Sequence, residues 1–303
     1  MNIRLKSNII RLGTRKSPLA IAQATQIRDM LLSYHPNIQV EIVPITTSGD
    51  KFTEKPLADI GGKGLFTKEI EEGLLDGSLD IAVHSMKDMP TKLPDGLIIG
   101  AMTEREDPRD VLIAENIKSL NDLKEGAVFG TSSLRRASLV KIKRPDINIV
   151  SFRGNVETRL KKLKQGVADA TMLAQAGLNR LKLSDVGSAL DIDEFLPAVA
   201  QGVVGVECRG DDTKILDLLA PLNHTNSAIA ANCERSFLAT LDGSCRTPIS
   251  GHAVIEGDNI FMRGLLAKPD GSQYYTAELK GNISDYENIG IAVGEEIKRK
   301  RDS

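Results

Sequence analysis

The feature that most constrains this chain is a regular alternation of short apolar runs with helix-period segments. Asn8 to Gly13 is an apolar run ending in glycine, and Ser17-Pro18 follows, a serine N-cap with proline in the first turn of a helix expected to reach about Ser33. Gln39 to Ile45 reads as a second strand, Thr46 to Asp50 as a loop, and Gly61-Gly62-Lys63-Gly64 as a break. Phe66, Ile70 and Leu74 then recur at the spacing of one helix face, before a third strand, Leu79 to Ser85, runs into Met86-Lys87-Asp88-Met89-Pro90. Such alternation demands βαβ units and a mostly parallel sheet covered on both faces.

The pattern then repeats. Leu97 to Met102 and Val111 to Ala114 flank the polar stretch Thr103 to Pro108, read as a crossing between domains. Ala127 to Gly130 feeds Thr131-Ser132-Ser133-Leu134-Arg135-Arg136 and a basic helix. Ile147 to Phe152 feeds Arg153-Gly154-Asn155 and a helix from Val156 to Gln165, with Asn155 as its N-cap. Ala168 to Ala174 and Val203 to Cys208 are further strands, and Asp212 to Leu219 a helix. The tail changes character: a helix from Asn226 to Leu241, three consecutive strand segments from Ile249 to Leu279, and a closing helix from Ile289 to Lys300. The expected fold class is α/β: two βα domains followed by a small C-terminal α+β domain with a three-stranded antiparallel sheet.

Length and charge fit this reading. A chain of 303 residues has room for two or three cores, and a net charge of −2 provides no global field toward nucleic acid or an acidic membrane. Any anion site must be local. The three cysteines form no Cys-x-x-Cys pair and the four histidines lie far apart, so neither a disulfide framework nor a metal site is expected. The first residues lack an apolar leader, and no run is long enough to span a membrane, so a cytoplasmic protein is expected. No Walker or Rossmann glycine pattern supports a nucleotide; Gly61-Gly62-Lys63-Gly64 lacks the following Ser or Thr.

Basic residues gather on loops after the expected strands: Arg15, Lys63, Arg135 with Arg136, and Arg153, with Arg159 in the next helix. Ligands of doubly wound sheets bind outside strand C-termini, where helix N-termini present N–H groups to anions. The guanidinium fork matches carboxylates, so this coincidence points to an organic polyacid. Ser132 and Ser133 add hydroxyls. Asp88, after a strand and beside Lys87, can hold a ligand N–H or stabilise a developing cation; it can equally cap its own turn. Cys245, in Gly243-Ser244-Cys245-Arg246, is a loop thiol beside an arginine, compatible with reactivity and with an ordinary surface cysteine. Cys208 and Cys233 read as packing cysteines, His84 as structural, and Gln23, Gln26 and residues 69–72 as solvated helix faces.

Taken in order, Thr14-Arg15-Lys16-Ser17-Pro18, Gly61-Gly62-Lys63-Gly64-Leu65-Phe66, His84-Ser85-Met86-Lys87-Asp88-Met89-Pro90, Gly130-Thr131-Ser132-Ser133-Leu134-Arg135-Arg136, Arg153-Gly154-Asn155 and Gly243-Ser244-Cys245 closely resemble the porphobilinogen deaminase (hydroxymethylbilane synthase) family, with Gln201-Gly202 and Glu207-Cys208-Arg209 adding to the match. The short stretch from Thr276 to Asn288 resembles the bacterial form. The resemblance implies two domains like periplasmic binding proteins with a central cleft, residues 1–103 with 201–221 and residues 104–200, and a third domain, 222–303. It implies head-to-tail condensation of four porphobilinogen molecules with loss of ammonia, giving hydroxymethylbilane for haem and related pigments. It also implies a dipyrromethane cofactor tethered by a thioether to Cys245, in a monomer that needs no metal, nucleic acid or membrane. Catalysis would fall to Asp88, as a buried carboxylate stabilising a pyrrole cation, with Lys87. Lys63, Ser85, Asp88, Thr131, Ser132, Ser133, Arg135 and Arg136 would hold the cofactor, and Arg15, Ser17, Arg153, Arg159, Arg180 and Gln201 the substrate. A competing reading is a non-catalytic two-domain binding protein for an organic polyanion, which would need no Cys245. A cysteine hydrolase would need a positioned histidine base that no motif supplies.

Overall fold

A computed structural model describes residues 9–51, 67–243 and 247–303. In chain order the first elements are β1 (Ile9–Arg15), α1 (Pro18–Tyr34), β2 (Gln39–Ile45), α2 (Ser48–Lys51), α3 (Lys68–Leu75), β3 (Ile81–Ser85) and β4 (Leu97–Met102). There follow β5 (Asp110–Ala114), β6 (Val128–Gly130), α4 (Leu134–Lys143), β7 (Asn148–Val150), α5 (Val156–Lys164), β8 (Ala170–Ala174), α6 (Gln175–Arg180) and β9 (Ser188–Ala189). The chain closes with β10 (Val204–Arg209), α7 (Thr213–Leu219), α8 (Thr225–Thr240), β11 (Ile249–Glu256), β12 (Asn259–Ala267), β13 (Tyr274–Asn282) and α9 (Tyr286–Asp302).

The chain divides into two compact units. The first is built on a five-stranded sheet of order β2-β1-β3-β10-β4. Here β1 runs parallel to β2 and β3, whereas β10 is antiparallel to β3 and β4. The second holds a sheet of order β7-β6-β8-β5-β9, in which β6 is parallel to β7 and β8, and β5 is antiparallel to β8 and β9. The three-stranded antiparallel sheet β11-β12-β13 clusters with this second unit. Both five-stranded sheets are therefore mixed rather than mostly parallel. The reversed strands, β5 and β10, each receive the chain from a strand of the other sheet, β4 and β9, so neither closes a βαβ crossover within its own sheet.

Each five-stranded sheet buries both faces. In the first unit Leu12, Ile81 and Val206 pack against Ile27 and Leu31 of α1, and Ala82 packs with Ile70 and Leu74 of α3. In the second, Phe129, Val140 and Met172 form one core, and Val111, Leu173 and Leu178 another. Large side chains buried this completely contribute about 1.5–3 kcal/mol each. The capping serine and asparagine behave as expected: Ser17 Oγ accepts from Ala20 N, and Asn155 Oδ1 from Thr158 N. Thr46 to Asp50 is not wholly a loop, since Ser48–Lys51 makes a helical turn. Its first N–H donates to the Glu69 carboxylate, at 2.8 Å. Helix α6, absent from the sequence reading, is too short for a periodic signal. In the antiparallel sheet's layer, Gly290 of α9 meets α8 so closely that a Cβ there would stand 2.1 Å from the carbonyl oxygen of Cys233.

Candidate functional site

In the first unit, β1 and β3 end side by side and deliver Arg15 and Ser85 to one pocket. After β3 the chain makes a single 3-10 turn, Met86–Asp88. Met86 is fully buried, with its sulfur pressed against the backbone of Gly205 so closely that a Cβ on that glycine would lie 2.2 Å away. This anchor fixes the turn and leaves Lys87 half-buried and Asp88 exposed at the pocket. Asp88 is thus not the buried carboxylate expected. The motif carries no residue that would cover it, and Met86 and Met89 take the inward positions instead.

Beside Asp88 the pocket is lined by Arg15, Ser17, Gln23, Thr67, His84 and Ser85. Gln23, expected on a solvated face, is 4% exposed; its Nε2 donates to Ser85 Oγ at 2.9 Å, and Ser85 Oγ donates to Gln23 Oε1 at 3.2 Å. Ser17 is both pocket wall and N-cap. His84 is buried, with Nε2 2.9 Å from Glu207 Oε2, so its role is structural, joining β3 to β10. Glu71, also expected to be solvated, is buried; burial pushes its carboxyl above the ordinary range. Both surprises occur on helices whose apolar stripes are flanked by polar positions that the sheet happens to cover.

In the second unit, Arg135 and Arg136 lie not on a loop but in the first turn of α4, 6% and 5% exposed. Both are held by Asp110: Arg135 Nη2 donates to Oδ2 at 2.6 Å, and Arg136 donates to Oδ1 through Nη2 at 2.6 Å and Nε at 3.1 Å. Burial alone would raise the Asp110 carboxyl, but the two guanidinium groups hold it far below the carboxylate range. Gln201, 1% exposed, donates through Nε2 to Pro108 O at 2.7 Å and Asp110 Oδ1 at 3.2 Å. The hydroxyls precede the helix. Thr131 Oγ1 accepts from Ser133 N, Ser133 Oγ caps α4 by accepting from Arg136 N, and Ser132 Oγ accepts from Phe152 N at 3.0 Å. Accepting these bonds does not use the hydroxyl protons of Thr131 and Ser133.

The Arg153-Gly154-Asn155 turn needs its glycine, at φ +124°. Arg153 and Arg159 are half-buried around it, and Arg159 Nε donates to Gly154 O at 2.8 Å. Arg180 ends α6 and donates to Gly202 O at 3.0 Å; burial lowers its pKa, with Glu106 opposing. Lys63 and Cys245, with Gly61 to Phe66 and Arg246, lie outside the described residues. Cys208 and Cys233 are fully buried, and burial pushes their thiols up to about 11 and about 12, as inert packing cysteines require. Asp110, Gln23 and Thr67 had no motif signal; only tertiary contact brings them to these places.

Two family models match in succession: "Porphobilinogen deaminase, dipyromethane cofactor binding domain" over residues 10–217, and "Porphobilinogen deaminase, C-terminal domain" over residues 228–299. The chain belongs to the porphobilinogen deaminase family. Family members are transferases of tetrapyrrole synthesis, and the first model is named for the dipyrromethane cofactor it binds. Among curated relatives, the chloroplastic porphobilinogen deaminase of Pisum sativum is 51% identical over 301 residues, covering 96% of this chain and 82% of the relative. More distant likenesses among solved structures include the aliphatic sulphonate binding protein SsuA of Escherichia coli (18% identity, TM-score 0.41, 78% of this chain and 71% of that one). Another is a periplasmic substrate-binding protein of Coxiella burnetii (17%, TM-score 0.43, 75% and 96%). Among the described residues, no helix is long and apolar enough to cross a membrane.

Proposed function

We propose that this chain joins four porphobilinogen molecules head to tail, releasing ammonia at each addition, and that Asp88 carries the chemistry. The observation behind the assignment is the first unit's pocket, where an accessible carboxylate shares a wall with Arg15 and the Gln23–Ser85 pair. Porphobilinogen presents a pyrrole N–H, an aminomethyl group and two carboxylates. Asp88 accepts the ring N–H, and its charge offsets the cation that forms as ammonia departs. Lys87 adds a fixed cation beside it. Arg15 and Ser17 hold side-chain carboxylates in this unit, and Arg153, Arg159, Arg180 and Gln201 do so in the second.

The donor set also suits a dipyrromethane. Its carboxylates call for fixed cations and hydroxyls, which Arg135, Arg136, Thr131, Ser132 and Ser133 provide, and its pyrrole N–H groups for a carboxylate. Lys63 and Ser85 complete the set, and Cys245 is the attachment residue. When bound, the dipyrromethane supplies the primer that is lengthened. A tether holds the reacting end at high effective concentration. We read the enzyme as a cytoplasmic monomer of three domains, 1–103 with 201–221, 104–200 and 222–303, acting without metal or nucleic acid. The absence of any cysteine pairing pattern supports the location.

Intact-mass measurement is the test. The purified chain is expected above its sequence mass by two linked pyrrole units, and Cys245→Ser at its sequence mass without turnover. An unmodified protein that converts porphobilinogen refutes the attachment, and failure of the modified wild type to convert it refutes the function.

A further inference from the structure

The arginine pair is bound to a carboxylate that no motif contains. Asp110 opens β5, an interior strand hydrogen-bonded to β8 and β9, and is fully buried. Its backbone is held as firmly as its side chain, with its carbonyl accepting from Leu190 N at 2.8 Å. Each oxygen takes a different arginine, and Oδ1 also accepts from Gln201. The far edges of the guanidinium groups are fixed too: Arg135 Nη1 donates to Leu196 O and Arg136 Nη1 to Met172 O, both at 2.9 Å. The Arg135 group also lies 5.8 Å from the centroid of the Phe195 ring.

Two guanidinium groups against one carboxylate leave this buried cluster with a net charge of +1. Uncompensated charge away from water is costly. A cluster carrying one surplus fixed cation is completed by one incoming anion. A guanidinium has five N–H groups; among the described residues those bonds use two on Arg135 and three on Arg136, which leaves donors for that anion.

We propose that Asp110 is a positioning residue for carboxylate recognition: it sets the planes of Arg135 and Arg136 and cancels one of their two charges, so that the pair receives a single carboxylate in one orientation. This rests on the assignment of the pair as carboxylate ligands. Asp110→Asn keeps one acceptor oxygen but removes the charge and the acceptor of the other arginine, so each plane is held less firmly, and the charge-assisted bonds lost are worth roughly 10- to 100-fold in affinity.

The experiment measures steady-state turnover of porphobilinogen and, on the same preparations, the fraction carrying the dipyrromethane by intact mass. Asp110→Asn is expected to lower the modified fraction about tenfold or more, with a smaller change in turnover per modified molecule. A second variant, Asp110→Asn with Arg135→Gln, keeps the cluster at +1 and so guards against misfolding from excess buried charge. Its modified fraction is expected below that of Arg135→Gln alone, because Arg136 has lost its charged acceptor. Full modification in Asp110→Asn, or equal modified fractions in the double variant and Arg135→Gln, overturns the proposal. Insolubility of both Asp110 variants overturns it as well, by assigning Asp110 to folding. Wild-type protein that fails to convert porphobilinogen is a separate outcome, which removes the functional reading instead.

Discussion

Glu234→Gln is the substitution whose cost can be worked most fully from the structure. Glu234 lies on α8, is completely buried, and accepts from three donors of the second unit, with His252 close by. Oε1 takes Arg105 Nη1 at 2.8 Å and Ala253 N at 2.7 Å, and lies 3.5 Å from His252 Nδ1; Oε2 takes Ala200 N at 2.6 Å. Ala200 is held there in a left-handed conformation, φ +56°. A glutamine has one acceptor oxygen, so its NH2 group would confront either the Ala200 or the Arg105 and Ala253 donors, and the Arg105 cation would lose its counter-charge. Breaking a buried pair in this way costs about 3–5 kcal/mol. A second route gives a similar figure. Burial alone would raise the Glu234 carboxyl, but Arg105 and His252 outweigh it and bring the value from 4.5 down to about 2. At 1.36 kcal/mol for each tenfold, that gap is worth on the order of 3 kcal/mol.

Because the folded value lies below the unfolded one, this stabilisation is complete above about pH 4.5 and disappears as the pH falls toward 2. Calorimetry of wild type and Glu234→Gln at pH 7 and pH 3 is the assay. At roughly 2–4 °C per kcal/mol, the variant is expected to melt about 6–20 °C lower at pH 7. The difference between the two proteins should narrow at pH 3. A drop of less than about 2 °C at pH 7, or a difference that does not narrow on acidification, would show that the network is not the anchor its distances indicate.

Other expectations concern the pocket and the helix contacts. Asp88→Asn leaves an exposed position almost isosteric, so its melting temperature should match wild type while turnover falls about 10²–10⁴-fold; a fall of less than tenfold removes Asp88 from the chemistry. Ser17→Ala deletes an N-cap bond and should destabilise by about 1 kcal/mol in urea titration, with an unchanged midpoint counting against the cap. Gly290→Val places a side chain where even a Cβ would meet the Cys233 carbonyl at 2.1 Å, so α8 and α9 must separate. Misfolding or a loss of more than about 2 kcal/mol is expected, and wild-type stability would show that the two helices yield freely.

Much of the local structure was legible in the chain because its causes are local. The β1 and β3 runs and the Ser17 and Asn155 caps all act within a few residues, and each lies where its pattern predicted. The reversed direction of β5 and β10 was not legible, since strand direction depends on where a long connection returns. Nor was the burial of Gln23 and Glu71: a polar side chain flanking an apolar stripe is covered or exposed according to the sheet it meets.

The ordered motifs by themselves were enough for the family and its chemistry, because side-chain type sets which groups can bind carboxylates or offset a cation. Tertiary structure decided how those residues are committed. It left Asp88 exposed above a buried Met86, turned Ser132 to the backbone of Phe152, and joined Arg135 and Arg136 to Asp110 from an interior strand. The physical reason is that a charge's effect depends on what surrounds it within a few ångströms. Such neighbours can lie far away in the chain, like Asp110 and the arginines 25 and 26 residues beyond it.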